Sequence, residues 1–177
     1  MAAPVLGRPD VAAAGKLNIL AAGADADIDR VQPVLDALGQ KTWRVGPEPQ
    51  HANVLKLAAN FMLASAIESF GEAVALVSGH GIESQTLLDV ITNSLFPGPV
   101  YAGYGKMIAD GHYEPAMFKA RRGLKDVRLA TPQAMPSTCR CRSRAWCATT
   151  SSMRSRTATA TRTVLGQVTA RRAAQKA

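Results

Sequence analysis

Apolar and polar positions change period twice along this 177-residue chain. In KLNILAAG (16–23), Leu17, Ile19 and Leu20 form a short apolar run between Gly15 and Gly23, the pattern of a buried strand. Ile28, Val31, Val34, Leu35 and Leu38 then recur at helical spacing as far as Gly39, with Asp25 or Asp27 as the expected cap. KTWRVG (41–46) predicts a second short strand. A β-α-β segment of this size is too small to be a complete parallel-sheet domain.

From about Gln50 the period becomes helical. The first helix is expected to run to about Ser78, where the glycines of SGHG (78–81) end it. Val54, Leu57, Phe61, Leu63, Ile67, Phe70, Val74 and Val77 make it apolar around most of its circumference, as for a helix buried centrally or at a subunit interface. Shorter helices are predicted at about 84–94, 99–109 and 117–130. Between Thr131 and Thr163 both periods vanish. That stretch has 13 Ser/Thr and 6 Arg, with only Met135, Trp146 and Met153 as large apolar residues, so a disordered basic segment is expected. VLGQVTARRAA (164–174) is helix-forming again. The predicted fold class is mainly α, with the chain divided into 1–47, 48–130, 131–163 and 164–177.

Charge sharpens this division. The net charge is +8, but residues 1–126 hold 11 Lys/Arg against 13 Asp/Glu, a balance of −2, while 127–177 hold 10 basic residues and no acid. The basic character therefore belongs to the tail. Phosphate binding by its arginines is conceivable, but Trp146 is its only aromatic residue for base stacking, which argues against a nucleic-acid partner. Cys139, Cys141 and Cys147 fit neither a C-x-x-C pair nor a ligand quartet, and His51, His80 and His112 are scattered, so no metal site is expected. The longest unbroken aliphatic runs, such as Ala73–Val77, are too short to span a bilayer, and MAAPVLGRPD lacks a secretory signal pattern. A cytoplasmic protein with no membrane partner is expected.

Lys56 and Asn60 carry the most chemical information. Four residues apart, they project an ammonium and a carboxamide from one face of the long apolar helix. Burying a lysine there is costly unless something polar or anionic meets it. Glu68 and Glu72 share the same spacing and are expected to be packing or solvated residues.

The block 51–130 resembles the C-terminal helical domain of the β-hydroxyacid dehydrogenases, the 3-hydroxyisobutyrate dehydrogenase and glyoxylate reductase group. The residues that carry the resemblance are Lys56-x-x-x-Asn60, ESFGEA (68–73), SGHGIES (78–84) and GLKDVRLA (123–130). APVLGRPDVAAAGKLNILAAG (3–23) is similar to the end of that family's nucleotide-binding domain, so 1–47 is expected to be a remnant of a Rossmann-type fold. The resemblance implies hydride transfer between NAD or NADP and a small hydroxy acid or related alcohol. Lys56 would be the catalytic acid/base and Asn60 a substrate ligand, with Lys125 and Asp126 on the cofactor side of the cleft. It also implies a homodimer formed through the helical domain.

The chain departs from the family pattern in two places. Where the family has A-P-V-S-G-G, this sequence reads Ala3-Pro4-Val5-Leu6-Gly7-Arg8, so Gly7 is retained and Arg8 becomes the alternative substrate anchor. A larger or less acidic substrate would fit the change. No G-x-G-x-x-G follows a strand, so most of the cofactor site is expected to be missing and the chain weakly active or inactive. A non-catalytic helical dimerisation module and a basic-tailed nucleic-acid binder are the other readings. A reading-frame slip over 131–163 would explain the abrupt change of composition.

Overall fold

The computed structural model describes residues 1–112. In chain order these form β1 (Val5–Leu6), α1 (Pro9–Ala13), β2 (Leu17–Ala22), α2 (Asp25–Leu38), β3 (Gly39–Gly46), α3 (Pro49–Gly79) and α4 (Ser84–Asn93), then a π-helical turn (Tyr101–Gly105) and α5 (Lys106–Ala109). They divide into two compact units, Met1–Asn60 and a second that begins at Phe61. The mainly helical architecture with a small β-α-β segment is found. The helix predicted at 117–130 and everything in 131–177 lie outside the described residues.

In the first unit β2 is the middle strand of three. It pairs antiparallel with β1 (Val5 opposite Ile19) and parallel with β3 (Leu20 opposite Trp43), with α2 making the crossover. β2 is apolar at almost every position because both of its faces are covered. Leu17, Ile19 and Ala21 meet Ile28 and Leu35 of α2, while Leu20 and Ala22 meet Ala52 in the first turns of α3. Ala22 and Ala52 have no exposed surface, so where these two meet, helix and strand leave space only for methyl groups.

Polar side chains fix the outer strand. The Arg44 guanidinium donates to Asp25 at 2.9 Å and also to Asp29, joining β3 to the first half of α2. The hydrogen bond to Asp29, then that to Asp25, hold the Arg44 pKa above its ordinary value. The Trp43 indole donates to Asn18 Oδ1 at 2.9 Å, and the Lys41 ammonium lies 3.9 Å from the Trp43 ring centroid.

The second unit has its own core of Ile67, Phe70, Val74, Leu88 and Ile108. Tyr101 stacks on Phe96 at 5.0 Å and meets Phe70 edge-on at 6.2 Å. Gly105 lies so close to Leu88 that an added Cβ would come within 2.7 Å of its Cδ1.

Several expectations change. The cap of α2 is Ala24, with Asp25 and Asp27 inside the first turn and no side-chain cap bond. The two carboxylates still face the positive end of the helix. β1 and α1 are both too short to leave a periodic signal. The helix predicted at 99–109 contains the π-turn, which hydrophobic spacing does not reveal. Nor is α3 buried all round: Val54, Leu55, Met62 (70% exposed) and Leu76 (65%) face outward. Unbroken aliphatic runs also understate α3. With 31 residues and a mean hydropathy of 1.4 over its most apolar window, it is long and apolar enough to cross a membrane by length and composition alone. Its Ile67, Phe70 and Val74 are committed to a protein core.

Two outcomes test this packing. Ile19→Ala removes a side chain only 1% exposed and is expected to cost about 2–5 kcal/mol in urea unfolding, whereas Val34→Ala, at a 59% exposed position, should change stability by less than about 0.5 kcal/mol. Arg44→Gln should lower the melting temperature at low salt, and the difference from wild type should shrink at molar salt because the ion pairs are exposed.

Candidate functional site

A lysine four residues after a fully buried alanine is carried to the same side of its helix. Ala52 seats α3 against the sheet, and Lys56 therefore reaches β1, where its ammonium donates to the backbone carbonyl of Val5. That carbonyl supplies the polar partner demanded by a half-buried lysine. Among the described residues no carboxylate pairs with Lys56. The ammonium has three protons, so the bond to Val5 leaves it able to donate elsewhere. Asn60 lies one turn further along α3, is half-buried and is engaged in a polar interaction of its own.

The chain leaves β1 through Leu6, Gly7 and Arg8. Gly7 has φ +152°, and a Cβ there would approach Leu17 Cδ2 to 2.6 Å and Val11 Cγ1 to 3.1 Å. Only glycine fits that conformation and that space. Arg8 follows in extended conformation as the residue before α1, and its guanidinium makes a long contact of 3.5 Å with Asp10. The structure thus brings Lys56 together with the β1 end that leads into Gly7 and Arg8. Lys125 and Asp126 lie outside the described residues. No group of three or more His, Cys, Asp or Glu side chains suited to a metal occurs among the described residues.

Two contacts were not legible in the sequence. The Val5 carbonyl is a backbone atom, and no residue pattern marks it. Leu6 packs with Leu20, Ala22 and Ala52, which puts an apolar side chain on the Lys56 side of the sheet. Strand alternation was the only available signal for it, and β1 is two residues long.

A dinucleotide needs a glycine-rich turn opening onto the positive end of a helix. At the junction of β2 and α2 the chain has Gly23 and Ala24, then Asp25 and Asp27 in the first helical turn. Those carboxylates repel a pyrophosphate, and α1 has only five residues. The described residues therefore do not fit a pyrophosphate cradle. What they build is a half-buried lysine donating to the β1 backbone.

A family model described as NAD-binding of NADP-dependent 3-hydroxyisobutyrate dehydrogenase matches residues 51–165, and one for the NAD binding domain of 6-phosphogluconate dehydrogenase matches residues 1–46. An uncharacterized oxidoreductase of Bacillus subtilis, YfjR, is 42% identical over 134 residues, covering 76% of this chain and 46% of the relative. Glyoxylate/succinic semialdehyde reductase 1 of Arabidopsis thaliana is 34% identical over 127 residues, covering 72% and 43%. The fold is that of a 3-hydroxyisobutyrate dehydrogenase from Salmonella typhimurium, with TM-score 0.84 at 23% identity over 95% of this chain and 59% of that structure. The chain thus spans less than half the length of these two curated relatives.

Gly7→Ala tests whether the β1 exit is as constrained as its geometry requires. The substitution should destabilise by about 1–3 kcal/mol in urea unfolding, and a value within about 0.5 kcal/mol of wild type would contradict the strained, crowded glycine.

Proposed function

We propose a substrate-side role in hydride-transfer chemistry on one premise: the chain belongs to the β-hydroxyacid dehydrogenase family. NAD or NADP is the family's cofactor by resemblance, and when bound it exchanges the hydride. The proton is the part assigned to this chain. In the reductive direction the Lys56 ammonium gives a proton to the substrate oxygen as negative charge develops there, and in the oxidative direction the amine takes it back. Asn60, one turn along α3, orients the substrate. Gly7 and Arg8 contact its far end, and Lys125 with Asp126 line the cofactor side. The substrate class is a small 3-hydroxy acid or a related alcohol or carbonyl compound.

The observation that carries this reading is the Lys56 ammonium held on the Val5 carbonyl, two residues before Gly7. A neutral backbone acceptor brings no negative charge of its own to the cation, which suits an oxyanion partner. The protein is read as cytoplasmic and as a homodimer, the second supported by the outward-facing Val54, Leu55, Met62 and Leu76 of α3. Alone it is read as a fragment with little or no turnover, supported by the acidic junction of β2 and α2. The same observations favour, as a second reading, a non-catalytic helical dimerisation module.

Fusing the nucleotide-binding portion of a relative ahead of Met1 separates the two readings. Turnover of 3-hydroxyisobutyrate with NAD or NADP should appear, and Lys56→Met should lower kcat by about 10²–10⁴-fold, while Asn60→Ala should chiefly raise KM. A fusion that binds cofactor but turns over nothing, or a Lys56→Met variant within tenfold of the parent, supports the module instead.

A further inference from the structure

We infer that Ala52 is a positioning residue for Lys56: its methyl group, seated against Ala22, sets how far the ammonium reaches and keeps it on the edge of β1 that faces away from β2. The inference rests on the proposed role of Lys56 and deepens it. The register identifies that edge. Ala2 and Ala22 exchange both backbone hydrogen bonds, and Leu20 donates to the Pro4 carbonyl at 2.9 Å, so Ala2 and Pro4 bond to β2. Val5, opposite Ile19, takes the alternate position of the antiparallel ladder, and its carbonyl points away from β2. The Lys56 ammonium donates to that carbonyl.

The lysine therefore crosses β1 from a helix that rests on β2. Ala52 meets Leu20 and Ala22 of β2, and both alanines are fully buried. β1 lies one strand spacing further on, about 4.8 Å. The Lys56 stem runs five bonds from Cα to Nζ and spans roughly 6 Å when extended. Such a reach has little slack, and a hydrogen bond keeps its strength over only about 0.5 Å of donor–acceptor distance. Ala52 and Lys56 stand one above the other on the same side of α3, so a displacement of the helix at Ala52 carries the lysine with it. With no space left between the two methyl groups, a larger side chain at position 52 has to part helix from strand.

The carbonyl ¹³C resonance of Val5, measured by NMR on the 177-residue chain, reads this bond directly. Lys56→Met defines its position without the ammonium. Ala52→Val should move the Val5 resonance to that position, while those of Ile19 and Ala21, on the α2 side of the sheet, stay where they are in wild type. Adding Ala22→Gly makes room for the extra methyl groups and should return the Val5 resonance toward its wild-type position. Should Ala52→Val not fold, Ala52→Ser, one atom larger than alanine, should move the resonance part of the way. A Val5 resonance that stays at its wild-type position in the folded variant, or that Ala22→Gly does not restore, would overturn the inference. Failure of the functional reading shows separately, as undiminished turnover by the Lys56→Met fusion, which leaves the Val5 resonance of the Ala52 variants unchanged.

Discussion

A half-buried ammonium has to be met by something, and here a backbone carbonyl meets it. Lys56 donates to Val5, and that one bond ties the start of α3 to the outer strand β1. A carboxylate partner would have cancelled the charge. A carbonyl satisfies one proton and leaves the cation's field intact. The rest of the first unit serves this placement. Ala52 and Ala22 are small enough to bring helix and sheet together, and Gly7 leaves Leu17 and Val11 their room where the chain exits β1.

Much of this was legible because it depends on periodicity. β2, α2, β3 and the long α3 each carry enough apolar positions at a single spacing to be found within about two residues of their ends. Lys56 and Asn60 were legible because a polar pair on an apolar helix is conspicuous. What escaped notice had either too few residues or no side-chain signature. Two-residue β1 and five-residue α1 cannot display a period, and the Val5 carbonyl belongs to the backbone. The Ala24 cap escaped because Asp25 and Asp27 are typical capping residues placed one and three positions too late.

Electrostatics separates what the first unit does from what it does not do. Asp25, Asp27 and Asp29 crowd the first half of α2, and Arg44 neutralises part of that charge by bridging two of them. The arrangement stabilises a helix start and strengthens its join to β3. It also makes this helix end unwelcoming to phosphate. Lys56, by contrast, is directed to β1.

The π-turn at Tyr101–Gly105 has a consequence for how this segment tolerates length changes. A π-turn closes over one more residue than an α-turn, and each residue of an α-helix advances about 100° around the axis. The turn thus acts as an absorbed one-residue insertion. Upstream and downstream positions follow different phases, and the core takes Tyr101 and Tyr104 from within the turn and Ile108 from beyond it. Removing one residue from the turn would rotate Ile108 by about 100° relative to the residues before it, so a length change here moves a core position and not merely a connection.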